Sequence, residues 1–146
     1  MATKATAGLA PLTDEQTIEL YRLMSKVRHC DERIRKALAA GEIAMSYWPV
    51  DGQEAMSAGA AHALGPDDLL VTTYRGLGDI VAKGAALKPY FAELLGKRTG
   101  LAKGKAGAMG INDVDAGVAW STGIVGAGPP IANGLALAAS MQGTGQ

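Results

Sequence analysis

Leu69-Leu70-Val71-Thr72-Thr73-Tyr74-Arg75-Gly76 is the stretch on which the fold turns. Five apolar or β-branched residues follow the acidic pair Asp67-Asp68, the pattern of a short buried strand over Leu69–Thr73. Tyr74-Arg75-Gly76 then falls at the C-terminal end of that strand. In open α/β sheets, ligands bind at that end. An arginine there can fork onto a phosphate, and a tyrosine offers a hydroxyl and a flat face. Position alone fits equally well a surface arginine beside a packing tyrosine.

Upstream of the strand the pattern is helical. Thr13-Asp14-Glu15-Gln16 has the form of a capping box and places a helix start at Thr13. Ile18, Tyr21, Met24, Val27, Ile34 and Leu38 recur at near-helical spacing, and Gly41 suits a C-terminal cap. A second helix is expected over roughly Gln53–Leu64, stopped by Gly65-Pro66. Ala55, Gly59 and Ala63 form a small-residue stripe on it. Asp51 and Glu54 suit its N-terminus electrostatically. Gln53 and Glu54 could also line a ligand site, though capping is the simpler reading.

Downstream, a helix is expected over Leu77–Lys83 and another over Pro89–Leu95, with proline in the first turn. Gly96–Gly110 carries Lys97, Arg98, Lys103 and Lys105 among glycines and no acid, and reads as a flexible loop. Its free amides could cradle an anion, but a solvated basic loop is the plainer reading. Asn112–Gly117 reads as turns, where Asp113 and Asp115 fit turn positions better than metal ligands. The tight turn Gly123-Ile124-Val125-Gly126-Ala127 then opens a helix ending near Gly143. Free amides at a helix start suit a ligand. Gly128, Ala132, Gly134 and Ala138 suit close helix packing.

Composition narrows the class. The chain has 146 residues, enough for one domain, and is 48% hydrophobic but only 5% aromatic, so its apolar content is largely alanine and its core is thin. Fourteen basic and fourteen acidic side chains cancel, which argues against nucleic acid and anionic membrane as partners. The single cysteine, Cys30, excludes an internal disulfide and fits a reducing, cytoplasmic setting. Residues 1–12 read as a flexible tail without a signal peptide, leaving 13–146 as the folded unit. The apolar run 124–139 is too short to span a bilayer and is broken by Pro129-Pro130.

Five motifs occur in register: Tyr21-Arg22-x-Met24, Asp51-Gly52-Gln53-Glu54-Ala55, Asp67-Asp68, Thr72-Thr73-Tyr74-Arg75-Gly76 and Gly123-Ile124-Val125-Gly126-Ala127. Together they resemble the alpha subunit of thiamine-diphosphate-dependent 2-oxo acid dehydrogenases, a group that includes the pyruvate, branched-chain and acetoin enzymes. The resemblance runs from about Thr13 to the last residue. Gly126–Pro129 and Gly143–Gln146 look most like the acetoin branch. It implies an α/β thiamine-diphosphate-binding fold, here N-terminal helices plus an incomplete parallel sheet with only Leu69–Thr73 secure. It further implies that Tyr74 and Arg75 bind the cofactor diphosphate, and that Gly123 and Val125 meet the aminopyrimidine through backbone groups.

The resemblance has departures. The family carries histidine at positions that here hold Trp48, Leu77, Asp79 and Gly110. Trp48 and Leu77 are accordingly expected to line a more apolar substrate pocket. The family's Mg²⁺ ligands follow the small-residue helix, and the glutamate that activates the cofactor lies on the beta subunit. The expectation is therefore one piece of a split alpha subunit holding no catalytic residue or metal ligand itself. Its expected partners are a second polypeptide, a beta subunit and a lipoyl-bearing acyltransferase. The competing expectation is a non-catalytic subunit of such a complex.

Overall fold

A computed structural model describes residues 11–145. The tail expected over 1–12 lies outside the described residues up to residue 10. The helix α1 (Asp14–Ala39) starts on the expected capping box: Thr13 Oγ1 accepts from the Gln16 amide at 3.2 Å, and the Gln16 side chain accepts from the Thr13 amide at 2.9 Å. Ala40 is the cap residue, and Gly41 follows it at φ 71°. The buried face runs through Val27, Cys30, Asp31, Ile34 and Ala37. Ile18 and Tyr21, expected on the same apolar stripe, are exposed because only the second half of α1 carries buried residues. Burial pushes the Cys30 thiol up, away from reactivity.

A half-extended segment, residues 43–50, leads to α2 (Glu54–Ala63). What fastens that segment is Asp31, a fully buried carboxylate on α1. It accepts from Arg35 Nε at 2.7 Å, the Tyr47 hydroxyl at 2.6 Å and the Val50 amide at 3.0 Å. Burial, and then the hydrogen bond to Asp31, push the Tyr47 phenol far above its ordinary range. The segment is thereby held with Trp48 and Pro49 on its outer side.

The strand β1 (Leu70–Thr73) forms as expected, one residue shorter. The sheet is parallel and small, as expected, with one strand more than the sequence made secure. Its second strand is in this chain: β2 (Val118–Thr122) runs parallel to β1, pairing Leu70 with Val118, Val71 with Trp120, Thr72 with Ser121 and Thr73 with Thr122. Ala119 is the extra residue at the irregularity between the first two pairs. The β-branched and aromatic content of Val118–Thr122 suits a strand, but the run is short and its burial does not alternate, so there is no strong period-2 signal.

Parallel strands need a long crossover. Here it contains α3 (Leu77–Lys83), as expected, and α4 (Leu87–Leu94). The latter starts two residues before Pro89, which sits in the first turn, where backbone N–H groups have no helical partner to lose. The core gathers between α1, α3, α4 and the sheet around Val27, Ile34, Val50, Ile80, Val81 and Tyr90, with Ile111 and Val118.

In the rest of the crossover, 112–117 forms the turns expected, but 96–110 is not the loose basic loop expected. It is a series of turns wrapped on Glu93, a buried residue of α4. The Glu93 carboxylate accepts from the amides of Ala102 and Gly104 at 2.8 Å and of Ala106 at 2.7 Å. The anion cradle considered for this loop therefore exists and is filled by the protein's own carboxylate.

The last helix, α5 (Gly128–Gln142), carries one buried residue, Ala139. Ala132, Gly134 and Ala138 are exposed, against the expectation of close packing through them. Two strands offer little surface to cover, and a Cβ added at Gly134 would meet nothing within 4 Å. The stripe Ala55, Gly59, Ala63 on α2 is likewise exposed, because α2 packs through Glu54, Ser57 and Ala58 instead. No helix among the described residues is long and apolar enough to cross a membrane.

Replacing Asp31 by alanine leaves the Tyr47 hydroxyl and Val50 amide without their acceptor. A loss of about 3 kcal/mol is expected, measured by denaturant unfolding of the full-length chain. A loss below about 1 kcal/mol would show that the 43–50 segment does not depend on this carboxylate.

Candidate functional site

The two strands end side by side at Thr73 and Thr122, and a cleft of about 240 Å³ opens at their C-terminal ends. Its wall includes Gln53 and Met56 from the start of α2, Tyr74 and Arg75 after β1, Asp79 on α3, and Thr122, Ile124, Val125 and Gly126 after β2. Tyr74, Arg75 and Val125, some fifty positions apart in sequence, thus share one cleft because the strands are parallel and in register. Gly123 lies in the same turn, exposed, and a Cβ there would come within 3.3 Å of the Met109 sulfur.

Arg75 is half-buried and held from one side. Its Nη1 donates to the Pro49 carbonyl at 2.7 Å. Among the described residues no carboxylate pairs with it, so its remaining N–H donors are available for an anion. Trp48 packs edge-on against Tyr74, with ring centroids 4.9 Å apart and planes at 67°. The segment anchored by Asp31 therefore supports both Tyr74, through Trp48, and Arg75, through Pro49.

Gly76 makes the turn possible: a Cβ there would lie 2.7 Å from the Thr73 carbonyl oxygen and 2.8 Å from Thr72 Cγ2. Leu77 does not face the cleft. It is 3% exposed and belongs to the core, because the first turn of α3 points inward directly after Gly76. The residue expected to line a substrate pocket thus sits in the core of this chain. Asp79, two residues on, takes the cleft position. Its carboxylate accepts from the Ser57 hydroxyl at 2.7 Å and the Thr72 hydroxyl at 2.5 Å. Sequence reasoning noted Asp79 only as a departure. Helix geometry was the available clue: Leu77 and Asp79, two residues apart in α3, point about 200° from each other, so burying one turns the other outward.

Glu54 turns away from the cleft. It is buried and accepts from Arg28 Nε at 2.5 Å and from the Gly52 amide at 3.3 Å, while Arg28 also reaches Asp51 at 3.2 Å. The hydrogen bond from Arg28 holds the Glu54 carboxyl below its ordinary value, against the opposing effect of burial. Of the pair Gln53 and Glu54, only Gln53 lines the cleft. Asp113 is a turn residue, its carboxylate accepting from the Ala116 amide. A larger cavity of about 350 Å³ lies under α5 against β1. It is walled mainly by leucine, valine and alanine and lacks the cationic group that distinguishes the Arg75 cleft.

Comparison with known proteins gives the family of the chain. The family profile described as Dehydrogenase E1 component matches residues 21–146, and the chain belongs to that family. It is 37% identical over 133 residues to the alpha subunit of acetoin:2,6-dichlorophenolindophenol oxidoreductase from Bacillus subtilis, covering 91% of this chain and 40% of that protein. The corresponding Cupriavidus necator subunit is 36% identical over 145 residues, covering 99% and 43%. The somatic mitochondrial pyruvate dehydrogenase E1 alpha subunit of Bos taurus is 35% identical over 132 residues, covering 90% and 33%. The chain spans about two fifths or less of the length of these relatives.

A pH dependence follows from Glu54. Its folded-state value lies below the ordinary 4.5, so its contribution is complete above that value and is lost as pH falls through the folded-state one. Glu54→Gln is therefore expected to lower stability near neutrality and to flatten the loss of stability below about pH 4.5. Unfolding midpoints measured from pH 7 down to pH 3 check this. Parallel curves for the two proteins would contradict it.

Proposed function

We propose that the Arg75 cleft is one side of a thiamine diphosphate site. On this reading the chain works within a decarboxylating dehydrogenase component, as part of its alpha subunit. The single observation that carries the reading is the convergence of Arg75, Tyr74 and the 123–127 turn at the ends of two parallel strands. An arginine without a carboxylate partner suits a diphosphate, and a glycine-rich turn lets a flat ring come close to the backbone. Bound thiamine diphosphate supplies the carbon nucleophile and electron sink for cleaving the bond next to a carbonyl.

In this reading Arg75 donates to the diphosphate, fixed in direction by the Pro49 carbonyl. Tyr74, braced by Trp48, adds its hydroxyl. Backbone groups of Gly123 and Val125 meet the aminopyrimidine. Trp48 remains as the apolar neighbour of the substrate side. None of these residues would be a ligand for Mg²⁺, which would neutralise diphosphate charge, and the remaining catalytic groups would come from a beta subunit. The acyl group passes to a lipoyl-bearing acyltransferase.

Asp79 favours a neutral acyloin over an anionic 2-oxo acid as substrate. A fixed carboxylate in the cleft repels a substrate carboxylate and can accept from a hydroxyl. The competing reading, a non-catalytic subunit, is favoured by Trp48, Leu77, Asp79 and Gly110 standing where the family resemblance implies histidine.

Thiamine diphosphate with Mg²⁺, titrated calorimetrically into the full-length chain assembled with its partners, tests the proposal. Arg75→Ala is expected to weaken binding about ten- to a hundredfold while leaving the unfolding midpoint unchanged. Wild-type binding and activity in that variant would favour the non-catalytic reading. Asp79→Asn is expected to shift the ratio of kcat/KM for acetoin over pyruvate about tenfold toward pyruvate. An unchanged ratio would remove Asp79 from substrate selection.

A further inference from the structure

We propose that Glu93 is a positioning residue for the turn at residues 122–126, acting through the wrapped loop 97–110. The proposal rests on the thiamine-site reading only for its consequence in cofactor binding. The mechanical link stands on contacts within the chain.

Glu93 is 1% exposed, and its two carboxylate oxygens gather three backbone amides from Ala102, Gly104 and Ala106. Burial alone pushes the carboxyl up. The amides of Gly104, Ala106, Ala102 and Gly107 outweigh this and hold it below its ordinary range. The loop closes on it so tightly that two glycines are required. A Cβ at Gly100 would lie 2.6 Å from Glu93 Cα, and one at Gly104 would lie 2.5 Å from the Gly96 carbonyl carbon. Lys103, between them, takes a left-handed φ of 59°. The loop's shape is thus set around one carboxylate.

Three residues beyond Ala106, the loop meets the site. The Met109 carbonyl accepts from the Ser121 hydroxyl at 2.9 Å, and Asn112 Oδ1 accepts from the Ser121 amide at 3.0 Å. The Met109 side chain lies against Gly123, whose absent Cβ would come within 3.3 Å of the sulfur. Ser121 is buried and adjoins Thr122, whose hydroxyl accepts from the Ile124 amide at 3.0 Å. Glu93 therefore sets the loop, the loop sets Met109, and Met109 with Asn112 sets the end of β2 from which the cofactor-facing turn departs. The Glu93 side chain itself is not in the cleft.

The test uses the full-length chain in its assembled complex, with Glu93→Gln and Ser121→Ala. In Glu93→Gln an amide NH₂ replaces one acceptor and faces backbone donors. Amide hydrogen exchange is expected to quicken both at 100–107 and at 122–126, and thiamine diphosphate to bind about tenfold more weakly. In Ser121→Ala exchange is expected to quicken at 122–126 while 100–107 stays protected. The proposal is overturned if Glu93→Gln loosens 100–107 alone, with 122–126 and cofactor affinity as in wild type. It is overturned equally if Ser121→Ala leaves 122–126 unaltered, which decides the matter should Glu93→Gln not fold. A wild-type complex that binds no thiamine diphosphate would remove the cofactor reading, and the exchange measurements would still decide the coupling.

Discussion

The parallel pairing of Leu70–Thr73 with Val118–Thr122 is the constraint from which the rest of the structure follows. Parallel strands cannot be joined by a tight turn, so the chain must leave β1, cross the sheet and return. Everything between Tyr74 and Gly117 is that crossing. Because both strands point the same way, both chain exits lie at one edge. One exit carries Tyr74 and Arg75, the other the 123–127 turn, and the cleft lies between them. An antiparallel partner would have sent the two exits to opposite ends and separated the same residues.

A second constraint is the thinness of the core. With 5% aromatic residues and much alanine, apolar burial alone gives long irregular segments little to hold to. Buried carboxylates take over part of that work. Asp31 gathers the 43–50 segment, Glu54 ties α2 to Arg28 on α1, and Glu93 organises the 96–110 loop. Each satisfies backbone or side-chain donors that would be costly to bury unpaired. No buried side-chain nitrogen or oxygen lacks a partner among the described residues. Two of these clamps support the cleft from outside its wall: Asp31 holds the residues that brace Tyr74 and Arg75, and Glu93 the loop beside Gly123.

Legibility in the sequence followed the range of the interactions. The Thr13–Gln16 capping box and the bounds of α3 were readable because they depend on neighbours three or four residues away. Tyr74-Arg75 was readable as a strand-end pair for the same reason. The strand β2 was not: five residues of mixed burial become a strand only when β1 lies beside them. The glycines and lysines of 97–105 looked like an open loop because the acid that closes it belongs to the preceding helix. Leu77 was expected in a pocket because the resemblance places a histidine there, and only the packing of α3 decides that it is buried while Asp79 faces the cleft.

The sequence by itself determined the class of fold, the local helix and strand starts, and the motif set that marks the Dehydrogenase E1 component family. The helix and strand starts rest on short-range periodicity, capping and residue type, which are local, while the fold class and family follow from the resemblance carried by five motifs in register. Only the tertiary structure decided which residues share the cleft, that Asp79 faces it while Leu77 is buried, and that Glu93 fills the loop's amide cradle. Those outcomes depend on parallel register and on contacts across tens of residues. A linear sequence carries their components without the distances between them.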